Sequence, residues 1–175
     1  IHTCFYVWRS IYKERGIEAS HLFTAQEKIF ECQDYVKEKV FGIDFDEKSV
    51  RVSKMLNLIA GDGHTNVLYL NSIDFDRWDE WVKDDEDWQD VYFEGFKRLK
   101  NLRATKNQNR DFNFDILMAN PPFAGDIKES RILARYELGK KENGKPQSKV
   151  GRDILFIERN LDMLRPGGRM AIVLP

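Results

Sequence analysis

The sequence predicts an α/β protein with a doubly wound, mostly parallel sheet, and three observations carry this prediction. Short apolar runs alternate with stretches of helical periodicity along most of the chain. Two of these runs, at 39–44 and 66–70, flank one amphipathic helix, as in a βαβ unit of roughly thirty residues. Two further runs, at 112–119 and 169–174, again have a helix between them. Strands connected in this way are parallel and right-handed in crossover.

The N-terminal part is predicted to be helical. Apolar side chains at helical spacing favour a helix over Cys4–Tyr12, which Gly16 ends. A second helix is predicted to begin near Thr24, with Glu27 completing a capping box, and to continue through Tyr35.

The predicted strands and later helices have recognisable ends. The first strand ends at Asp44, and Asp46 is expected to cap the helix that follows. The last helix, 154–164, is predicted to end at the Pro-Gly-Gly run 166–168, before the final strand. The helix after Asp46 is predicted to bury one apolar face and to close at two glycines: Val50, Met55, Leu58 and Ile59, then Gly61 and Gly63.

Size and composition fit one packed domain over residues 1–175. The chain is 42% hydrophobic and 13% aromatic, which excludes disorder over its whole length. No apolar run approaches the ~18 residues of a membrane span, and no basic-then-apolar leader is present, so no membrane partner is expected. The two cysteines, Cys4 and Cys32, are too few for a disulfide framework and indicate a reducing, cytoplasmic location.

The net charge of −1 conceals a dipolar layout. Residues 74–90 hold nine acids against two bases, with three tryptophans that indicate an anchored segment. Residues 97–110 add six bases, and the two stretches form a charged insertion over 74–110. A basic loop over 124–152 carries eight bases against three acids from residue 128 onward.

The most specific feature is the run Asn120-Pro121-Pro122-Phe123 after the strand 112–119. Ligands bind at the carboxyl ends of strands in doubly wound sheets, so Asn120 is expected at the functional site. Each proline restricts the backbone before it and lacks an N–H, which leaves a rigid turn dominated by carbonyl acceptors. Such a turn suits an amino group, which offers two donors, and Phe123 offers a face for a planar ring.

This run resembles the catalytic motif of S-adenosylmethionine-dependent amino-methyltransferases. The longer resemblance is to the N-6 adenine DNA methylase family, the modification (M) subunit of type I restriction-modification systems. It covers nearly all of 40–175, and 74–110 is the least matched part. The segments that carry it are 42–44 with the helix end 57–61, then 149–156 and 167–175.

The resemblance implies a Rossmann-like methyltransferase fold and transfer of a methyl group from S-adenosylmethionine to N6 of an adenine flipped out of double-stranded DNA. The Asn120 side chain and the Pro121 carbonyl would accept hydrogen bonds from the adenine amino group. Pro122 would complete the rigid turn, and Phe123 would stack on the base. Specificity and restriction subunits are the implied protein partners, and no metal is required.

The resemblance also implies where the cofactor binds. Asp44 would bind the ribose hydroxyls of S-adenosylmethionine. The family contacts the cofactor adenine at the position of Asn71 and Asp74, where this sequence departs from the usual Gly-Asp pair. The family's glycine-rich turn, which follows a strand that precedes the one ending at Asp44, is absent from this sequence together with that strand. Gly61-Asp62-Gly63 follows a helix, so it does not qualify. The expectation is a methyltransferase fragment truncated at both ends, which lacks a central strand and is inactive by itself.

Several alternatives stay open at this point. Asp44 can be a helix cap, residues 71–74 a plain turn, and residues 128–152 a solvated surface instead of a DNA-facing loop. The acidic stretch 74–90 favours a solvated insertion over a ligand site. Two other functions are alternatives to DNA methylation. Protein glutamine and RNA guanine amino-methyltransferases share the Asn-Pro-Pro-aromatic turn, and a non-catalytic assembly module is the non-enzymatic alternative.

Overall fold

The computed structural model describes residues 2–24, 28–62, 66–84, 86–103 and 111–175. These residues form two compact units. Unit 1 comprises residues 1–72 and 76–100, and unit 2 comprises residues 73–75 and 101–175. Within the described ranges, no helix combines the length and apolar content needed to cross a membrane.

Unit 1 begins with helices α1 (His2–Glu14), α2 (His21–Thr24) and α3 (Phe30–Lys39). The predicted first helix is confirmed, and Gly16 follows it with a φ of +69°, a conformation that favours glycine. The predicted start of the second helix is wrong, because α3 begins at Phe30 and Thr24 ends α2. The proposed capping residue Glu27 lies outside the described residues. The helices share a core of Cys4, Trp8, Tyr12, Leu22, Cys32 and Val36.

The predicted βαβ unit follows. Strand β1 (Gly42–Asp44), helix α4 (Glu47–Ile59) and strand β2 (Val67–Tyr69) form it, and the two strands are parallel with Ile43 opposite Leu68. The buried face predicted for α4 is confirmed only at Val50. Met55, Leu58 and Ile59 are 53%, 63% and 75% exposed. The physical reason is length, since α4 packs on β1 and β2, and strands of three residues, about 10 Å long, cover only part of a 13-residue helix, which is about 20 Å long.

The acidic stretch is helical. A 3-10 turn (Phe75–Arg77) leads into α5 (Trp78–Asp84) and then α6 (Glu86–Asn101). Trp78 and Trp88 are buried, and their indole N–H groups donate to the carbonyls of Asn71 at 2.8 Å and Tyr69 at 2.9 Å. The tryptophans therefore attach these helices to the carboxyl end of β2, as anchoring residues must.

Unit 2 contains β3 (Phe114–Ala119), β4 (Asp126–Ile127), α7 (Ser130–Leu133), β5 (Val150–Gly151), α8 (Arg152–Met163) and β6 (Leu164–Ile172). β3 and β6 are parallel, and β4 and β5 are antiparallel. The predicted start of the last strand at residue 169 is too late, because Leu164 already pairs with Phe114. The run 165–168 forms an irregularity inside the strand, which Gly167 permits with a φ of +74°.

The α/β class and the parallel pairing are thus confirmed, whereas a single doubly wound sheet is not. The strands of the described residues form three two-stranded sheets, two parallel and one antiparallel. The Rossmann-like arrangement, and the missing central strand that the resemblance implies, remain predictions.

Candidate functional site

The Asn-Pro-Pro-Phe turn leaves the carboxyl end of β3. Ala119 is the last residue of the strand, and its carbonyl accepts a hydrogen bond from the N–H of Val173 at 3.0 Å. Asn120 is exposed directly after this bond, Pro121 is buried, and Phe123 is 54% exposed. The strand and the buried proline fix the backbone on both sides of Asn120, so its amide and the ring of Phe123 are presented to solvent from a rigid turn.

The segment after this turn is folded, although the sequence suggested a loop. β4 and β5 pair across it, and the backbone N–H of Arg152 donates to the carbonyl of Gly125 at 3.1 Å. Glu158 holds the segment further along, because its carboxylate accepts the backbone N–H groups of Glu137 and Leu138. The apolar core beneath consists of Ile73, Ile132, Leu133, Tyr136, Val150 and Leu155.

Several bases of this segment are already engaged by acids. Lys149 contacts Asp126 at 2.8 Å, and this pair lowers the pKa of the Asp126 carboxyl and raises the pKa of the Lys149 ammonium. Lys140 pairs with Glu137 at 2.6 Å. The basic character read from composition therefore overstates the charge that is available for a partner.

The predicted cofactor residues after β2 have definite partners. Asp74 makes a bidentate pair with Arg131, with oxygen–nitrogen distances of 2.6 and 2.7 Å. The backbone carbonyl of Asn71 accepts the indole N–H of Trp78. Asp74 and Arg131 belong to unit 2, and Asn71 and Trp78 to unit 1. A cofactor role for Asn71 and Asp74 stays a prediction, and the pairing of Asp74 gives that carboxylate a structural function.

Asp44 ends β1 in an exposed position. Its Oδ1 accepts the backbone N–H of Asp46 at 2.9 Å, and Asp44 is not the residue that caps α4. Asp46 is the cap of α4, as predicted, because its Oδ2 accepts both the N–H and the hydroxyl of Ser49, and these bonds lower the pKa of the Asp46 carboxyl. The structure therefore answers the open question about Asp44, which is held in place by the turn and is not the helix cap.

Sequence reasoning missed an aromatic cluster beside Asp44. The ring centroids of Phe45 and Tyr69 lie 5.7 Å apart, and Trp81 lies 5.5 Å from Phe45 and 5.2 Å from Tyr69. Phe45 and Tyr69 stand at the carboxyl ends of β1 and β2, and Trp81 comes from α5. The sequence signal was present in Trp81, the second of the three tryptophans in the acidic stretch, but only the fold brings that residue to the strand ends.

The predicted site residues are divided between the units. Asp44 and the aromatic cluster belong to unit 1, and residues 120–123 belong to unit 2. Within the described residues, no group of three or more histidine, cysteine or acidic side chains is arranged to hold a metal ion.

An α/β chain with parallel strands and an Asn-Pro-Pro-Phe turn at a strand end has the features of a methyltransferase. A family model described as "Eco57I restriction-modification methylase" matches residues 38–175, and the chain belongs to that family. No curated protein and no solved structure matches the chain significantly. The match confirms a restriction-modification methylase, which is the coarser part of the resemblance seen in the sequence, and it does not specify a type I modification subunit.

Proposed function

We propose that this chain carries the acceptor site of a DNA methyltransferase that transfers a methyl group from S-adenosylmethionine to N6 of adenine. The observation that carries the proposal is the turn 120–123, exposed and rigid at the end of β3, in a chain of the restriction-modification methylase family. The target base would be flipped out of the duplex, since its amino group is not accessible within the stack.

Asn120 and Pro121 would recognise the amino group of the adenine. The Asn120 side-chain oxygen and the Pro121 carbonyl would each accept one of its two N–H donors. Two such bonds orient the nitrogen lone pair towards the methyl group and stabilise the charge that develops on the amine. Pro122 keeps the turn rigid, and the exposed ring of Phe123 would stack on the base.

The side chains at the end of β1 are chemically suited to bind S-adenosylmethionine. S-adenosylmethionine supplies the electrophilic methyl group when it is bound. The Asp44 carboxylate keeps Oδ2 outside its bond to Asp46 and would accept ribose hydroxyls, and Phe45 offers an aromatic surface. Asn71 and Asp74 are further proposed contacts, although the bidentate bond to Arg131 already occupies Asp74.

The test is methyl transfer by the complete protein. It would be mixed with labelled S-adenosylmethionine and unmodified genomic DNA, and digested nucleosides would be separated to identify the methylated base. We expect label in N6-methyladenine, and an Asn120→Ala variant should lose most of it. Label on cytosine, ribosomal RNA or a protein glutamine would contradict adenine specificity, and DNA binding with full activity in the variant would contradict the role of Asn120.

The assembly is a separate part of the proposal. A type I system would place specificity and restriction subunits beside this protein on double-stranded DNA. Affinity purification from the native host tests it: stable association with both subunits supports the type I context, and a protein that methylates DNA by itself contradicts it.

A further inference from the structure

The guanidinium of Arg152 lies against the backbone of Gly125, shortly after the turn that bears Asn120. A Cβ atom on Gly125 would stand only 3.2 Å from Cζ and 3.3 Å from Nε of Arg152. The backbones are joined as well, by the bond from the Arg152 N–H to the Gly125 carbonyl at 3.1 Å. Gly125 has a φ of +102°, a conformation that favours glycine, and a Cβ atom there would also crowd the Arg152 guanidinium. Arg152 is thereby seated at a defined position next to the turn.

Arg152 carries its charge without an acidic partner in the described part of the chain, unlike its neighbour Lys149. Lys149 is bound to Asp126 at 2.8 Å. The next acid in sequence, Asp153, turns back towards Gly151, since its Oδ1 lies 2.6 Å from the position of a Cβ there. The exposed guanidinium of Arg152 therefore keeps its donors available. Such a planar set of donors suits bidentate binding of a phosphate group.

We propose that Arg152 binds a phosphate of the DNA strand beside the base held by Asn120, an inference that rests on the proposed function. Contact with Gly125 restricts the side chain before the ligand arrives, so less conformational entropy is lost on binding. Arg152 is a positioning residue: it holds the strand next to the turn and does not touch the reacting atoms.

The test is the salt dependence of DNA binding by the complete protein, measured with a fluorescent duplex of arbitrary sequence over a range of KCl concentrations. The slope of log K against log salt is negative, and loss of one phosphate contact reduces its magnitude by about 0.9. Arg152→Gln should therefore make the slope shallower by about one and weaken binding about fivefold near 0.15 M salt. Arg152→Lys should restore the slope but not the full affinity, because an ammonium lacks the planar pair of donors.

The matched control removes a neighbouring cation that already has a partner. Asp126→Asn combined with Lys149→Gln deletes one acid and one base beside Arg152 and should leave the slope unchanged. Gly125→Ala should displace the guanidinium and shift binding in the same direction as Arg152→Gln. The thermal midpoint of each variant shows whether a loss of folding contributes.

The outcomes separate this inference from the proposed function. An unchanged slope in Arg152→Gln, or an equal loss in the double variant, overturns the role of Arg152. If Arg152→Gln changes the affinity for S-adenosylmethionine and leaves the DNA slope unchanged, the role of Arg152 in DNA binding is also overturned. That result would indicate that Arg152 binds the carboxylate of the cofactor instead. If Arg152→Gln changes the slope as predicted but the wild-type protein methylates no DNA, the proposed function alone is contradicted. Wild-type protein that binds no DNA contradicts both.

Discussion

The ends of β1 and β3 present two different kinds of candidate site. At the end of β1, an acidic side chain stands beside Phe45, Tyr69 and Trp81, three aromatic rings from separate parts of the chain. At the end of β3, the exposed amide of Asn120 is followed at once by Pro121 and Pro122. The first arrangement depends on packing of distant segments, and the second depends on covalent restriction within a few residues.

This difference determines how each site should respond to change. Residues that hold the aromatic cluster are expected to act through stability and cofactor affinity. Residues of the rigid turn are expected to act through the rate of methyl transfer, with little effect on folding. Variants of the complete protein can distinguish the two kinds of response.

The largest effect is expected at Trp88, which anchors α6 to β2. Its ring is 3% exposed, its indole N–H donates to the Tyr69 carbonyl, and it packs against Tyr92 and Phe96. Trp88→Ala should lower the free energy of unfolding by about 3–5 kcal/mol, as large-to-small changes in a core do. Chemical denaturation measures it. The control Trp88→Phe keeps a ring and should cost closer to 1 kcal/mol for the lost bond; equal losses would refute anchoring by ring burial.

Asn120→Ala should act on rate and not on stability. Loss of one preorganised hydrogen-bonding group typically lowers kcat by about 10²–10³-fold. Because the side chain is exposed, the thermal midpoint should stay within a degree or two, a shift typical of neutral surface changes. Single-turnover methyl transfer and thermal unfolding measure the two quantities. A large fall in the midpoint with a retained rate would reverse the proposed separation.

Asp44→Asn should weaken cofactor affinity. Loss of a charged acceptor for a ribose hydroxyl is expected to raise the Kd for S-adenosylmethionine about tenfold, the equivalent of about 1.4 kcal/mol. Isothermal titration measures it. Asp46→Asn is the matched control, because asparagine caps a helix as well as aspartate and the residue lies just beyond Asp44. Equal losses in both variants would indicate a general charge effect.

The smallest effect is expected from the Asp126–Lys149 pair, both of whose side chains face solvent. The pKa of Asp126 is lowered, so its contribution to stability exists above the usual pKa of aspartate and is lost as the pH falls through the depressed value. The pKa of Lys149 is raised, so its contribution exists below the usual pKa of lysine and is lost as the pH rises through the raised value.

The stability difference between wild type and the Asp126→Asn, Lys149→Gln double variant should therefore be flat at neutral pH and shrink at both extremes. Thermal midpoints over a pH series measure it. A difference that grows towards acid would contradict the sign of the Asp126 shift, and it would remove the basis for using this pair as a neutral control.

Local features were predicted well because their causes lie within a few residues. The strand end before Asn120, the cap at Asp46 and the stop at Gly16 each follow from the conformational preferences of a few residues, and the structure places all three as expected. The start of α3 was predicted wrongly. The candidate cap residues Thr24 and Glu27 indicated a helix from about residue 24, but α3 begins at Phe30.

Features that depend on neighbours in space were predicted less well. The periodicity of α4 correctly marks it as amphipathic, but periodicity cannot say how much of the helix the short strands will cover, and Met55, Leu58 and Ile59 remain exposed. Likewise, composition counted the bases of residues 128–152 without their partners. Lys149 pairs with Asp126 and Lys140 pairs with Glu137, and only the folded structure distinguishes these paired bases from Arg152.

The sequence by itself determined the α/β class, the βαβ unit and the rigid amide turn, since periodicity and the stereochemistry of proline act locally. Tertiary structure alone decided that Trp81 joins Phe45 and Tyr69 and that Arg152 rests on Gly125. Contacts between residues far apart in the chain arise from the packing of whole elements, whose relative placement no short window of sequence encodes.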